Sequence, residues 1–385
     1  MVRRARFNLV YWLLEPLYAK RGAGHQPDTI LLMTVGVLLF LGLLFLSSAS
    51  ATLSFYRYHD TYRLVKQQLL HGILPGLILF YIALRTDYFK LQKFSKFFLI
   101  LCFILLGLVF VTTLGNQYGS AQSWIVWGGL SFQPSELVKL FYITYLATWL
   151  SGRHQEINTW SRGTIPFLII LGIISLLLIK QPDFGALFII LCIALSMFFV
   201  AGASWKHLAY IISTGLVAFF VLIKAAPYRM NRFIAWWNPD IDPQGIGWQL
   251  KQSLIAIGSG GWLGVGLGNS KQKSYVPMPA NDSIFAIMSE EVGLIFSLGI
   301  IILFLIVLWR GLLIAKQAPD NYARFLAVGI VVWLTTQVFV NIAGLLQIMP
   351  LTGVPLPFIS LGGSNLIVSL IAVGILANIS RHTSR

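Results

Sequence analysis

Apolar runs long enough to cross a membrane recur along this chain, and they limit what it can fold into. Of the 385 residues, 57% are hydrophobic and 11% are charged, whereas soluble domains carry about 25% charged residues. A helix needs roughly 20 apolar residues to cross the hydrocarbon core, so we predict an all-α integral membrane protein with about ten transmembrane helices. The predicted spans are residues 29–47, 69–84, 97–114, 134–150, 165–179, 185–200, 208–223, 284–308, 325–348 and 358–379.

Two features of these spans need comment. Only residues 180–184 separate the fifth span from the sixth, so these two runs form either two helices or one broken span. Cys102 and Cys192 both fall inside apolar runs, which argues against a disulfide framework or a cysteine metal cluster.

The distribution of lysine and arginine predicts how the chain is oriented. In a ten-span topology both termini and every second loop lie on the same side of the membrane, and these segments hold more than half of the 28 basic residues. Loops rich in lysine and arginine stay in the cytoplasm. We treat residues 1–385 as one polytopic domain with both termini cytoplasmic. Residues 1–28 form a basic cytoplasmic N-terminus, and residues 224–283 form a long extracytoplasmic loop between the seventh and eighth spans.

The net charge of +15 is consistent with this bias and with contact to anionic lipid. The basic residues are dispersed among the spans and do not form one patch, so nucleic-acid binding is not expected.

The stretch 228–291 is polar, basic and rich in glycine inside an otherwise apolar sequence. This composition predicts an active site that acts on a substrate bound at the membrane surface. Its glycine run, residues 258–268, fits no nucleotide-binding register. The run is either a tight backbone beside a membrane ligand or a flexible surface loop. Asp282 stands before the eighth span, where it is a candidate active-site carboxylate or a simple helix N-cap.

Ionisable residues inside spans are costly and tend to mark function. Glu136 and Lys139 are spaced to pair on one helix face, either as a structural ion pair or in contact with substrate. Lys180 and Asp183 flank residues that form either a plain helix-breaking turn or a turn that carries a functional Lys–Asp pair, and the functional pair is favoured.

A set of motifs spread over nearly the whole chain carries a family resemblance. The motifs are Ser47-Ser48-Ala49-Ser50, Ser131-Phe132-Gln133-Pro134-Ser135-Glu136-Leu137-Val138-Lys139, Gln181-Pro182-Asp183-Phe184-Gly185, Asn238-Pro239, Asp242-Pro243, Gly245, Gly247, Gln249, Gln252-Ser253, Pro355-Leu356-Pro357-Phe358 and Gly362-Gly363-Ser364. Together they resemble the SEDS (shape, elongation, division and sporulation) family of peptidoglycan polymerases. Residues 266–273 resemble the division (FtsW-like) branch more than the elongation (RodA-like) branch.

This resemblance implies polymerisation of lipid II, an undecaprenyl-pyrophosphate-linked disaccharide-pentapeptide, at the bacterial inner membrane. It also implies a class B penicillin-binding protein as partner, together with other membrane proteins of the division machinery. Asp282 matches the essential aspartate of the family. The chain departs from the family pattern at three places. Ser123 replaces an arginine, Met278 and Ala280 stand where the family has glutamate and histidine, and Ser283 stands where the family has a phenylalanine after the aspartate.

The expected roles follow from the chemistry of glycosyl transfer. Asp282 is the candidate general base toward the acceptor 4-hydroxyl, or the ligand of a divalent cation such as Mg²⁺ or Mn²⁺ that does the same work. The basic residues expected to neutralise the pyrophosphate are Arg229, Arg232, Lys251, Lys273 and Lys180. The further residues expected to bind substrate are Trp124, Gln133, Glu136, Lys139, Asp183, Gln249 and Glu291.

Two functions of other classes stay open at this point. A lipid II flippase is expected to show repeat halves and sites at the bilayer midplane, whereas these motifs cluster on the predicted outer side. A non-catalytic scaffold of the division machinery would tolerate loss of Asp282.

Overall fold

The computed structural model of the protein describes residues 26–110, 115–118, 121–127, 130–153, 156–224, 227–241 and 245–383. The basic N-terminus predicted for residues 1–28 therefore lies, except for its last three residues, outside the described part. Asp242 and Pro243 of the loop motif also lie outside it.

Helices make up the body of the molecule, as predicted, and each of the ten predicted apolar runs falls on one of them. Six helical stretches are long and apolar enough to cross a membrane. The helices are α1 (Thr29–Tyr58), α2 (Arg63–Gln68), α3 (Leu74–Arg85), α4 (Tyr88–Lys93), α5 (Ser95–Leu108), α6 (Pro134–Gly152), α7 (Ile165–Lys180), α8 (Phe184–Val200), α9 (Trp205–Lys224), α10 (Pro227–Trp237), α11 (Ile246–Ser259), α12 (Ile284–Lys316), α13 (Asn321–Leu345) and α14 (Gly363–Ser380).

The fifth and sixth predicted spans are two separate helices, α7 and α8. The turn between them ends at Asp183, whose Oδ1 accepts a hydrogen bond from the backbone N–H of Ala186 at 3.0 Å. This carboxylate is therefore the N-cap of α8.

A small three-stranded antiparallel sheet between α5 and α6 was not predicted. It consists of β1 (Gly115–Tyr118), β2 (Ala121–Trp127) and β3 (Leu130–Phe132) in sequential order. The predicted span 97–114 thus continues too far, because α5 ends at Leu108. Aromatic and β-branched residues in β2 suit a strand, but the run is short and gives a weak signal.

The long loop before the eighth span is also more ordered than predicted. It contains α10, α11 and two short 3₁₀ turns, Pro239–Ile241 and Gln272–Ser274. Helix α11 packs beside the first turns of α12.

The two ends of the bundle are defined by contacts between α1 and α12. At one end, Arg310 donates from Nε to Asp28 Oδ2 at 2.9 Å. At the other end, the Ser48 hydroxyl donates to the Glu291 carboxylate. These two contacts lie about 30 Å apart along α1, at 1.5 Å of rise per residue. We call them the Arg310 end and the Asp282 end.

Helix α12 is broken at Gly293, which has φ 76° and ψ −179°. The break frees carbonyl groups in the preceding turn, and the glycine run satisfies them. The Glu290 carbonyl accepts from Val265 N–H at 3.0 Å, and the Glu291 carbonyl accepts from Gly266 N–H at 3.0 Å.

The N–H groups after the break are satisfied in the same way. Leu294 N–H donates to the Gly261 carbonyl at 2.9 Å, and Ile295 N–H donates to the Trp262 carbonyl at 3.3 Å. Of the two interpretations left open for residues 258–268, the structure therefore shows the tight backbone. The run is docked against a broken helix, where irregular backbone needs such partners.

The segment of α12 before the break, residues 284–292, crosses the Asp282 end of the bundle. Its N-terminal side is held to α13, where Asn341 Nδ2 donates to the Asp282 carbonyl at 2.7 Å. Its other side contacts α1 through Ser48 and Glu291. Asn341 and Ser48 each lie about 30 Å along their helices from the Arg310 end, so this half-helix runs across the bundle.

We expect Gly264→Ala to destabilise the protein. Gly264 has φ +81°, and a Cβ there would overlap the Glu291 carbonyl oxygen. Strain of this kind costs about 1–3 kcal/mol. The matched control is Gly299→Ala in α12, the helix against which Gly264 packs; a Cβ there meets nothing within 4 Å and alanine is favoured by about 0.5–1 kcal/mol. Thermal unfolding in detergent should show a lower Tm for Gly264→Ala alone, and equal Tm values would contradict the docking.

Candidate functional site

The segment 347–356, which we call the platform, follows α13 and has no regular structure. Two amides on successive turns of α13 hold it. Asn341 Nδ2 donates to the Val354 carbonyl at 2.8 Å, and Gln337 Nε2 donates to the Pro355 carbonyl at 3.0 Å. Both amides are buried. The platform backbone is therefore fixed from within the bundle.

Asp282 lies against the platform. Its Oδ2 accepts a hydrogen bond from Gln249 Nε2 at 3.2 Å, and its carbonyl is bonded to Asn341. A Cβ on Gly353 (φ +73°) would be 3.8 Å from Oδ2, in ordinary contact. Helix α12 has Ser283 in its cap position, with no side-chain capping bond among the described residues. The alternative of Asp282 as a simple N-cap is therefore not what the structure shows.

The carboxyl group of Asp282 is set up to hold a proton more readily than an exposed aspartate does. Burial is the largest influence and raises its pKa above the usual value. The Gln249 hydrogen bond, the backbone N–H groups of Asp282 and Ser283, and the Arg232 charge act in the opposite direction. A carboxylate with a raised pKa is a better general base near neutral pH.

Helix α10 brings Arg232 to this site. Arg232 Nη1 donates to the Leu351 carbonyl of the platform at 3.3 Å. Trp236 and Gln347 then make a reciprocal pair, with Trp236 Nε1 donating to the Gln347 carbonyl at 2.9 Å and Gln347 Nε2 donating to the Trp236 carbonyl at 2.8 Å. The side chain of Arg229 lies outside the described residues.

Gln133 and Asp183 lie on another side of the platform. Asp183 Oδ2 accepts from Ser135 Oγ at 3.0 Å and from Gln133 Nε2 at 3.3 Å. The next turn is close-packed, since a Cβ on Gly185 would overlap Val354. The predicted pairing of Lys180 with Asp183 is wrong for the described residues: Asp183 is engaged by α6 and by its own helix, and Lys180 is exposed.

Glu136 and Lys139 form the ion pair that their spacing predicts. Lys139 Nζ lies 3.0 Å from Glu136 Oε1 and 2.9 Å from Oε2. It also donates to Gln337 Oε1 at 2.8 Å, while the Trp333 indole donates to the same oxygen at 2.7 Å. Both charged side chains are buried. The pair thus reaches the platform through Gln337, and its contact with substrate stays a prediction.

Two basic residues of the long loop are occupied elsewhere. Lys251 forms an ion pair with Asp240, and Lys273 Nζ donates to the Gly268 carbonyl at 2.7 Å. Both contacts are with residues of the loop itself, so neither lysine is directed at Asp282 by them.

Glu291 and Trp124 also lie away from the immediate surroundings of Asp282. Glu291 is at the far end of the half-helix, bonded to Ser48. Trp124 pairs with Asn116 in the small sheet, which packs on α6. Substrate binding by either residue stays a prediction.

The sequence interpretation missed Asn341 and Gln337, which hold both Asp282 and the platform. A signal for them exists, because two amides four residues apart in an apolar span are costly unless they bond to something. Their partners lie in an irregular segment that no periodicity predicts.

The expected divalent cation has limited support from the donors present. Among the described residues there is no group of three or more histidine, cysteine, aspartate or glutamate side chains that could hold a metal. Mg²⁺ is commonly held by one or two carboxylates together with substrate phosphates. Asp282, as a single carboxylate, fits that pattern. A cation bound there would neutralise the negative charge of the pyrophosphate.

Comparisons with known proteins agree with the motifs. Residues 28–385 match the family model for FtsW, RodA and SpoVE, described as cell cycle protein. The chain belongs to this family. It is 41% identical over 359 residues to stage V sporulation protein E of Bacillus subtilis, covering 93% of this chain and 98% of that protein. It is 39% identical over 355 residues to a probable peptidoglycan glycosyltransferase FtsW of Geobacter sulfurreducens, covering 91% and 94%.

Solved structures of this family have the same fold. A chain from a peptidoglycan synthase complex, described as coordinating polymerization and crosslinking, superposes with a TM-score of 0.77 at 27% identity, covering 92% of this chain and 98% of that one. RodA of Thermus thermophilus superposes with a TM-score of 0.67 at 26% identity, covering 93% and 98%. The predicted family and its membrane fold are confirmed. The sequence motifs distinguish only the division and elongation branches, whereas the Bacillus subtilis relative is named for sporulation.

We expect Glu136 and Lys139 to be strongly coupled in stability. Removing one partner of a buried pair leaves an uncompensated charge and costs about 3–5 kcal/mol. The single variants Glu136→Gln and Lys139→Met and their double variant form a cycle that isolates the coupling free energy. It is measured from the free energy of unfolding in mixed micelles.

The control for this cycle is the pair Lys66–Asp60, whose side chains are 59% and 35% exposed. Exposed pairs contribute about 0–1 kcal/mol, so Lys66→Met and Asp60→Asn should be nearly additive. Additive effects at Glu136 and Lys139 as well would contradict the buried network.

Proposed function

We propose that this protein polymerises lipid II into peptidoglycan glycan strands at Asp282, with the Asp282 end of the bundle facing out of the bacterial inner membrane. The observation that carries the proposal is a half-buried carboxylate, at the position of the family's essential aspartate, fixed by Gln249, by Asn341 and by contact with the platform. Relatives 38–39% identical to the chain bear the name probable peptidoglycan glycosyltransferase.

The reaction needs a base that takes the proton of the acceptor hydroxyl and a positive charge that neutralises the pyrophosphate leaving group. The acceptor 4-hydroxyl attacks the anomeric carbon of the donor sugar, and its proton passes to the Asp282 carboxylate. The bond between that carbon and the pyrophosphate oxygen breaks, and undecaprenyl pyrophosphate leaves with the electron pair. Among the described residues no second carboxylate bonds to the partners of Asp282, and a single carboxylate favours direct inversion over a two-step path.

Arg232 is the described cation best placed to neutralise the pyrophosphate. Its charge reaches Asp282, and its guanidinium is anchored on the platform at Leu351. Charge-assisted bonds from arginine suit phosphate oxygens. Lys180 is exposed beside the Asp183 turn and is a second candidate, whereas Lys251 and Lys273 would first have to leave their loop partners.

The proposed orientation rests on where the fold places the basic residues. Asp28 and Arg310 are in contact, and the helix ends nearest them carry a cluster of eight lysines and arginines. Basic residues concentrate on the cytoplasmic side, so the Asp282 end faces outward, where flipped lipid II is available. The basic residues at the Arg310 end are Arg85, Lys90, Lys93, Lys96, Arg310, Lys316, Arg324 and Arg381.

The proposed cellular role is septal synthesis during division, with a class B penicillin-binding protein and other division proteins as partners. The loop motif 266–273 and the relatives named FtsW favour this role. The similarity to a sporulation protein makes polymerisation during sporulation the second candidate, and a RodA-type role in elongation is the third. The similarity to a synthase complex supports a cross-linking partner.

We expect Asp282→Asn to reduce polymer formation by about 10²-fold or more, the usual contribution of a general base. Asparagine keeps the size and the capping ability of aspartate, so loss of rate isolates the carboxylate. The measurement is glycan polymer formed from lipid II by the purified protein with its partner.

Asp60→Asn is the matched control, because Asp60 lies just beyond the C-terminus of α1 and its carboxylate bonds the exposed Lys66 and the backbone N–H of Tyr62. Polymer formation by Asp282→Asn at the wild-type rate would contradict the assignment of the base. A wild-type protein that forms no polymer with its partner would favour the scaffold. Transfer of lipid II across vesicles without polymer would favour the flippase.

Asn341 is expected to act as a positioning residue. Asn341→Leu removes the donors to the Asp282 and Val354 carbonyls, and each buried group left unbonded costs about 1–3 kcal/mol. We expect kcat to fall at least about tenfold, since misplaced catalytic groups lose rate, while KM for lipid II changes little. The control is Thr335→Val, whose hydroxyl bonds only within α13. An unchanged kcat in Asn341→Leu would contradict this role.

A further inference from the structure

Helices α3 and α14 run parallel and end side by side at the Arg310 end. Asn378 links them, with Nδ2 donating to the Leu84 carbonyl at 2.8 Å and Oδ1 accepting from Tyr88 N–H at 3.3 Å. Arg85 is the last residue of α3, and Arg381 directly follows α14. The fold thus brings two arginines from distant parts of the sequence to one place.

These two arginines are close enough to affect each other. The pKa of Arg381 is lowered, first by burial and then by the positive charge of Arg85. The Arg381 Nε atom is buried and has no hydrogen-bond partner among the described residues. Arg381 as a whole is half-buried, and Arg85 is exposed with its Nε donating to the Tyr81 hydroxyl at 3.1 Å. A partly desolvated cation beside a like charge is stabilised by an anion.

An apolar cavity of about 200 Å³ lies between the same two helix ends, where its lining includes Thr86, the residue after Arg85, and Asn378, about one turn before Arg381. It is formed between α3, α4 and α14, and Leu79 and Ile82 on its rim are exposed on the lipid-facing side of α3. The cavity therefore adjoins the region where lipid chains lie. Its apolar lining residues are Leu79, Ile82, Leu91, Ile371 and Ile375.

Charge around the cavity is positive. Lys90, Lys93 and Lys96 are exposed nearby. Three acidic residues lie near these helix ends, and all three are helix caps. Asp87 accepts from Phe89 N–H at 3.0 Å, Asp320 accepts from Ala323 N–H at 2.9 Å and from the Tyr88 hydroxyl, and Asp28 accepts from Leu31 N–H at 2.9 Å. Asp28 is bonded through its own N–H to Ser380 and pairs with Arg310. None of the three acids pairs with Arg381 in the described structure.

We infer that this cleft binds one anionic phospholipid, with the phosphate between Arg85 and Arg381 and part of an acyl chain in the apolar cavity. Arginine donors match phosphate oxygens, and basic pockets between transmembrane helices bind anionic head groups. A soluble anion would use the arginines and leave the cavity unexplained, whereas a phospholipid uses both.

The test compares lipid retention by the full-length protein. Purified protein is mixed with phosphatidylglycerol or phosphatidylcholine, and bound lipid is counted by native mass spectrometry alongside the Tm. We expect phosphatidylglycerol to be retained at least about tenfold better and to raise the Tm more, because only it carries net negative charge for the arginines. The double variant Arg85→Gln/Arg381→Gln should lose this preference.

The matched control is Lys90→Gln/Lys93→Gln, which removes the same charge from exposed positions and should keep the preference. Leu79→Trp keeps both arginines and fills the cavity, so it should reduce phosphatidylglycerol retention even if the arginine variant fails to fold. The site would be overturned if the wild-type protein bound the two lipids equally, or if both double variants lost the phosphatidylglycerol preference to the same extent. It would also be overturned if Leu79→Trp retained phosphatidylglycerol fully. Stabilisation by inorganic phosphate equal to that by phosphatidylglycerol would overturn the lipid as its ligand.

Discussion

The need to satisfy backbone hydrogen bonds inside an apolar bundle governs how this protein builds its site. A continuous helix satisfies its own N–H and C=O groups, but a break or an irregular segment must find partners elsewhere. The chain has both features at the Asp282 end. The glycine run supplies the partners for the break at Gly293, and Asn341 and Gln337 supply them for the platform.

This solution also fixes the functional groups. The same Asn341 amide that holds Val354 holds the backbone of Asp282, and the same Gln337 that holds Pro355 accepts from Lys139. The buried ion pair, the platform and Asp282 therefore form one connected hydrogen-bonded unit. Such an arrangement sets the carboxylate in place before substrate arrives, which is where much of the power of an active site originates.

The departures from the family pattern acquire a structural context. Ser123 is buried in β2, Met278 is exposed, and Ala280 is buried. None of these side chains can serve as a base or a cation. Because the glutamate and histidine of the family are replaced here, the proposed proton transfer depends on Asp282, and the proposed charge neutralisation depends on Arg232, whose charge acts on the Asp282 carboxyl.

The sequence by itself determined what depends on local periodicity. The ten helical runs, the Glu136–Lys139 pair at i, i+3 and the importance of the stretch ending at Asp282 could all be predicted, because helix geometry relates residues a few positions apart. Only the tertiary structure decided the rest. Asp183 bonds Gln133 and Ser135 rather than Lys180, Lys251 turns to Asp240, and Glu291 lies at the far end of a half-helix. Asn341 reaches Asp282 across 59 positions of sequence. Contacts of this kind depend on which irregular backbone groups are left without partners, and that is settled only when the helices have packed.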